Sequence, residues 1–345
     1  LTHFDRTGVA AVVEYGARLV DDQNKLTARF SDVADIVRES SYWSRQEDGS
    51  CVSARHVVKA IEEKDYRSNL YEERLREYIE EGTILVDVTG EAIGQVNGLA
   101  VYDIGDYRFG KPSRITVKTF MGRSGIIDIE REAKLSGRIY NKGVMILSGY
   151  LGWKYAQKAP LTLAASICFE QSYEGVDGDS ASSTELYALL SSLAELPIRQ
   201  DIAITGSVNQ HGEVQPIGGV NQKIEGFFEV CRVKGLTGEQ GVMIPRQNVQ
   251  NLMLKNSVVD AVREGTFHIF PVGTVDEGIA TLTGVPAGEL QEDGTYPEGT
   301  VHQKVAGKLD EFLTHYHELE AHDDEAGGSG GDDDDEDAHD QAEGS

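Results

Sequence analysis

Cysteine is scarce in this chain: three among 345 residues, Cys51, Cys168 and Cys231, two of them inside apolar segments. So few, and an odd number, cannot build a disulfide framework and fit a reducing cytosol. No apolar run approaches the ~20 residues that a membrane span needs. The opening Leu1-Thr2-His3-Phe4-Asp5-Arg6 has no apolar signal core. It also lacks an initiator Met, which suggests a piece of a longer protein. Basic residues are in deficit, 32 Lys and Arg against 58 Asp and Glu, for a net charge of −26. Eleven acids fall between Asp323 and Glu343, which leaves −15 elsewhere. Such a surface repels nucleic acid and anionic lipid, and its plainest consequence is solubility. The Gly-x-x-x-x-Gly-Lys-[Ser/Thr] phosphate loop is absent, so nothing here marks a site for nucleotide hydrolysis. No Cys-x-x-Cys occurs. The nine His are scattered, and His315 and His317 lie on a polar stretch that reads as a solvated helix face; no metal site is expected.

What is present is ample apolar material, 39% of the residues, in two different patterns. Residues 1–65 carry helical periodicity: Val9, Val12, Val13, Gly16, Leu19 and Val20 on a first stripe, Val33, Ile36 and Val37 after an N-cap at Ser31, and Val57, Val58 and Ile61 after one at Ser53. That is little core for an independent fold, so this unit is expected to pack on something else. Residues 66–82, rich in Glu and Arg, read as an exposed linking helix. From 83 the pattern switches. Thr83–Val88, Ala92–Tyr102 and Arg114–Met121 alternate as strands, and Ile126–Ile129 continues. Lys142–Tyr155 reads as a helix and Leu161–Phe169 as a strand. Ile202–Thr205 and Val242–Ile244 are short and wholly apolar, as buried strands are. Leu252–Glu264 is helical and Phe267–Val272 a last strand. Residues 83–285 therefore read as a mixed α/β (α+β) domain. In 286–345, Val305–Leu319 fits one marginal helix, and the Gly-rich, acidic end cannot bury enough apolar area to order itself.

Two stretches carry chemistry. Gly175-Val176-Asp177-Gly178-Asp179-Ser180-Ala181-Ser182 joins the strand ending at Phe169 to a helix expected over Ser183–Leu196. A serine at such a turn has an exposed hydroxyl, with helix-start N–H groups at hand for an oxyanion. Thr205-Gly206-Ser207 then leads to Gly218-Gly219-Val220-Asn221-Gln222-Lys223, which puts a lysine on the first turn of an apolar helix. Lysine serves as the base for a serine only when neutral. Ile217, Val220, Ile224, Phe227 and Phe228 supply apolar walls that would lower its pKa. Thr205 is a candidate to hold the amine. By spacing alone Lys223 also fits a snorkelling surface lysine, and Asp177 and Asp179 also fit helix-start charge.

At these residues the chain resembles the proteolytic domain of the Lon family of ATP-dependent serine proteases. The likeness covers about Ile84 to Val275 and is carried in family order. It runs through Gln95-Val96-Asn97-Gly98-Leu99-Ala100-Val101, Phe169-Glu170-Gln171-Ser172-Tyr173, Gly178-Asp179-Ser180-Ala181-Ser182, Thr205-Gly206-Ser207 and Gly218 to Gly226. It is nearest to the bacterial and archaeal branch with the serine in a Gly-Asp-Ser-Ala-Ser context. The resemblance implies Ser180 as nucleophile and Lys223 as general base. It also implies Asp177 as the acid near the dyad and Thr205 as the lysine's holder; Asp179 counts with these two as a supporting residue. Phe169, Glu170 and Gln171 would line the substrate groove. A mixed α/β fold, homo-hexameric rings and turnover of unfolded polypeptide in the cytoplasm are implied too. The N-terminal unit is similar to the helical lid of an AAA+ ATPase, with Arg18 in the place of a nucleotide-sensing arginine. ATP and Mg are implied only for a full-length protein with an upstream AAA+ module, and no cofactor for the proteolytic domain. The rival readings are a catalytically silent scaffold or peptide-binding ring domain of the same fold, and a small-molecule hydrolase module that does not oligomerise.

Overall fold

The computed structural model describes residues 1–105 and 107–327. Four helices come first, α1 (Arg6–Arg18), α2 (Phe30–Gln46), α3 (Ala54–Ser68) and α4 (Leu70–Glu80). Strands β1 (Glu91–Ala92), β2 (Gln95–Asp103), β3 (Arg108–Phe120) and β4 (Gly125–Asp128) follow, then α5 (Ile129–Glu132), α6 (Arg138–Tyr155), β5 (Ala164–Phe169) and α7 (Ser182–Ala194). Next are β6 (Ile198–Arg199), β7 (Ile202–Ile204), β8 (Ser207–Val208), β9 (Val214–Gln215) and α8 (Val220–Lys234). The chain continues through β10 (Gly241–Pro245), a 3-10 turn at Arg246–Asn251, α9 (Asn256–Arg263), β11 (His268–Val272), α10 (Val275–Thr283) and α11 (Val301–Gly327).

The α/β part is built on a seven-stranded mixed sheet in the order β11-β10-β7-β2-β3-β5-β4. Its β11, β10, β7 and β2 run parallel; β3 is antiparallel to both β2 and β5, and β4 runs parallel to β5. The period-two rule puts alternate residues on opposite faces. Ile202, Ile204 and Met243 face a core shared with α6, α7, α10 and α11. Ala203, Val242 and Ile244 face a second core with α4, α8 and α9. Both faces are covered, which is why β7 and β10 read as unbroken apolar runs.

The N-terminal helices close a small core of their own around Tyr15, Ile36, Val52, Val57 and Ala60. Asp5 caps α1 by accepting the Gly8 N–H at 2.8 Å. The residue at the start of α2 is Arg29, and Ser31 lies inside the helix, so the expected Ser31 cap is corrected. Ser53 does begin α3, its N–H bonding His56 Nδ1 at 3.0 Å. The single linking helix is corrected as well: the chain breaks at Asn69, and Ile79 of α4 is buried in the second core. Thr83–Val88 forms no strand. Val86 and Val88 are buried as the alternation demands, but side chains take the place of a ladder. Gln171 accepts the Leu85 N–H, and Lys234 and Gln240 donate to Val86 O and Val88 O.

The largest correction concerns the C-terminal extension. α11 is no marginal helix: Val301, Val305, Leu309 and Phe312 enter the first core. Buried His302 shares hydrogen bonds with Asp276 (2.9 Å) and Tyr155 (2.6 Å). The acidic stretch from 328 onward, expected to lack order, lies outside the described residues.

Candidate active site

The two chemistry-bearing stretches meet at the ends of β5 and β7. After β5 the chain turns through Gly178, whose φ of +99° disfavours a side chain, and reaches Ser180 just before α7. The turn is tied to the end of β7: Gly206 N–H donates to Ser180 O at 2.8 Å, and Ser183 donates to Gly206 O from its N–H (3.1 Å) and its hydroxyl (2.8 Å). Thr205 Oγ1 donates to Ser180 O at 3.3 Å. Lys223 enters from the first turn of α8.

Lys223 Nζ lies 2.9 Å from Ser180 Oγ and 3.0 Å from Thr205 Oγ1. The lysine is 3% exposed, with Val220, Ile224 and Phe227 buried around it on α8. Burial pushes its pKa down to about 8, against a smaller opposing pull from Asp179. The surface-lysine reading is thereby excluded. Because Thr205 donates to Ser180 O, its lone pairs accept one amine N–H. The neutral amine's own lone pair is then free for the Ser180 hydroxyl.

Other residues of interest lie elsewhere. Asp177 Oδ1 accepts the N–H groups of Gly178 (2.9 Å), Ile139 (3.2 Å) and Tyr140 (3.4 Å). It caps α6 and makes no hydrogen bond to Ser180 or Lys223; those N–H groups hold its pKa below the usual carboxylate range. Asp177 thus stands at the start of α6 and not at that of α7. Asp179 acts on Lys223 through charge alone. The N–H groups of Ser182 and Ser183 are taken up by Asp179 O and Gly206 O, so the start of α7 does not present those two to an oxyanion. Phe169 is buried in the first core, edge-on to Tyr140. Glu170 accepts the Thr116 hydroxyl at 2.6 Å, and Gln171 clasps Thr83 and Leu85.

Arg18 is turned toward α8. Its guanidinium forks onto Glu225 of α8, at 2.6 and 2.7 Å, and donates to Met253 O at 2.6 Å. Nothing in the spacing of Asn221 and Glu225 singles them out, yet both bond the N-terminal unit. Their signal is positional only: each lies two residues from Lys223. Among the described residues no group of three His, Cys, Asp or Glu could hold a metal ion.

Two family models match the chain. Residues 3–67 match the archaeal LonB AAA+ ATPase lid domain, and residues 172–283 match the C-terminal proteolytic domain of Lon protease (S16). A protein described as a Lon protease homolog in Escherichia coli (strain K12) is 44% identical over 68% of this chain and 40% of its own length. An archaeal Lon protease of Archaeoglobus fulgidus is 32% identical over 80% of this chain and 42% of its length. That of Thermococcus kodakarensis is 30% identical over 80% and 41%. The chain thus spans about two fifths of the length of the curated relatives it matches. With a lid domain, a mixed α/β proteolytic domain and relatives that agree, the chain belongs to the Lon protease family.

Proposed function

We propose that this chain is the proteolytic part of a serine endopeptidase that cleaves unfolded polypeptide through an acyl-enzyme. The observation that carries the reading is the buried Lys223 amine 2.9 Å from the Ser180 hydroxyl. The neutral amine accepts the hydroxyl proton as Oγ attacks the scissile carbonyl carbon. The protonated amine, still held by Thr205, gives that proton to the leaving amine as the C–N bond breaks. Water then attacks the ester with Lys223 again as base, which releases the acid and restores Ser180. None of these steps involves a nucleotide or a metal.

The family relationship supports an upstream AAA+ module that unfolds and feeds substrate with ATP and Mg, assembly as a homo-hexamer, and a cytoplasmic site of action. Among the described residues no helix is long and apolar enough to cross a membrane, and the net charge of −26 disfavours nucleic acid as a partner. The test is cleavage of a fluorescently labelled, permanently unfolded protein by the wild type and by Ser180→Ala. A loss of at least ~10³-fold is expected; equal rates would leave only a silent scaffold. The rate should rise with pH through about 8, because the neutral amine does the work, and not near the ~10.4 of a free lysine.

A further inference from the structure

We propose that Arg18 and Glu225 form a positioning pair for Lys223, through which the helical lid grips the helix that carries the amine. The inference rests on the Ser180–Lys223 reading above. Residues two apart on a helix point about 200° apart, and residues four apart share a face. Asn221 and Glu225 therefore share one face of α8, and Lys223 leaves from the opposite one.

Both are held by the end of α1 and by residues 251–255. Arg18 forks onto Glu225 at 2.6 and 2.7 Å, and Glu225 Oε1 also accepts the Lys255 N–H at 2.8 Å. Asn221 donates to Asp21 Oδ1 (2.7 Å) and Asn251 O (2.9 Å) and accepts the Met253 N–H (2.7 Å). Glu225 keeps only 9% of its side chain exposed, so without Arg18 a nearly buried carboxylate loses its counter-charge. Elsewhere on α8, Gly226 lies against the backbone of Gly110 in β3, where a Cβ would collide. The helix is thus seated on the sheet and steered from the lid. A shift of ~0.7 Å would take the 2.9 Å Nζ–Oγ contact out of hydrogen-bond range.

The Lys223 amine bonds Ser180 and Thr205, with Asp179 of the serine loop as the charge that favours its protonated form, whereas Arg18 and Glu225 bond each other on the opposite face of α8. Removing this oppositely charged pair together leaves the net charge unchanged, so a change in the amine's titration reports position and burial more than charge. This separates a positioning role from mere adhesion between two domains.

The experiment is the rate at which a fluorophosphonate probe labels Ser180 between pH 6 and 10, measured on the whole chain with thermal melts alongside. In the wild type the rate should rise through about 8. The double variant Arg18→Met/Glu225→Leu removes both charges together and leaves net charge unchanged. It should label about tenfold more slowly at pH 7.5, with its midpoint moved upward as α8 loosens and water reaches the amine. Should that variant fail to fold, Arg18→Lys keeps the charge but loses the fork, and a several-fold slowing is expected. Arg67→Ala breaks a more exposed fork within the lid, Arg67 to Glu39 at 2.7 and 2.8 Å, and should behave as wild type. Wild-type rate and midpoint in the double variant, or in Arg18→Lys if that is the one that folds, overturn the pair's role. A wild type that Ser180→Ala shows to be unlabelled at Ser180 at any pH overturns the dyad reading itself.

Discussion

A lysine amine in an apolar pocket is expensive to keep charged, and Lys223 shows both consequences. Its pKa falls from 10.5 to about 8, which makes it a base near neutrality. The same fall is a folding penalty of about 3 kcal/mol at ~1.4 kcal/mol per pKa unit. The unfolded chain binds the proton more tightly between pH 8 and 10.5, so this penalty is complete below about 8 and fades as pH rises to 10.5. Lys223→Met is therefore expected to abolish cleavage and yet to melt at a higher temperature than wild type at pH 7, by an amount that shrinks toward pH 10. A melting point at pH 7 below wild type would mean that the amine's bonds to Ser180 and Thr205 outweigh its desolvation. At this scale much was readable in advance. Ser180 sits in a glycine turn and Lys223 in an apolar helix start, and both signals are local. The destination of Asp177 was not, because its carboxylate caps a helix that begins some forty residues earlier in the chain.

Among the elements, α7 carries a second buried charge problem. Glu185, on its first turn, is 1% exposed and faces Tyr140, whose hydroxyl donates to Asp128 Oδ2 at 2.5 Å. Burial raises the Glu185 pKa well above 4.5, so the folded protein holds this proton after the unfolded chain has released it. The stability this contributes is complete below the unfolded value and is lost as pH rises through the folded one. Glu185→Gln should flatten that dependence and unfold at higher denaturant than wild type at pH 9, with little difference at pH 4. Unchanged pH dependence in urea melts would argue against a protonated Glu185. Element types were mostly legible, since periods of 3.6 and 2 come from local geometry. Thr83–Val88 shows the limit: alternation reports which side chains are buried, but a strand also needs a neighbour to bond, and here side chains fill that place.

In the whole molecule, α11 closes the first core. Val301, Val305, Leu309 and Phe312 are each worth about 1.5–3 kcal/mol when buried. Their sum rivals the 5–15 kcal/mol that holds a typical domain folded. A chain ending before Val301 should lose cooperative unfolding by circular dichroism; a soluble, cooperatively melting product would show that α11 is only appended. Such docking is not visible along the chain, because a helix with few large apolar residues looks marginal until its partner surface is known. The lid poses the same problem in reverse: its small core was evident, but its grip on α8 joins Arg18 to Glu225 across the fold.

Composition, periodicity and a handful of local motifs suffice to place this chain in its class and to pick out its serine and lysine, because those signals depend on neighbours within a few residues. Which acid caps which helix, how dry the amine is, and how the lid holds the lysine's helix depend on residues far apart in the chain. Only packing brings those together, and packing sets the distances and burial on which the chemistry rests.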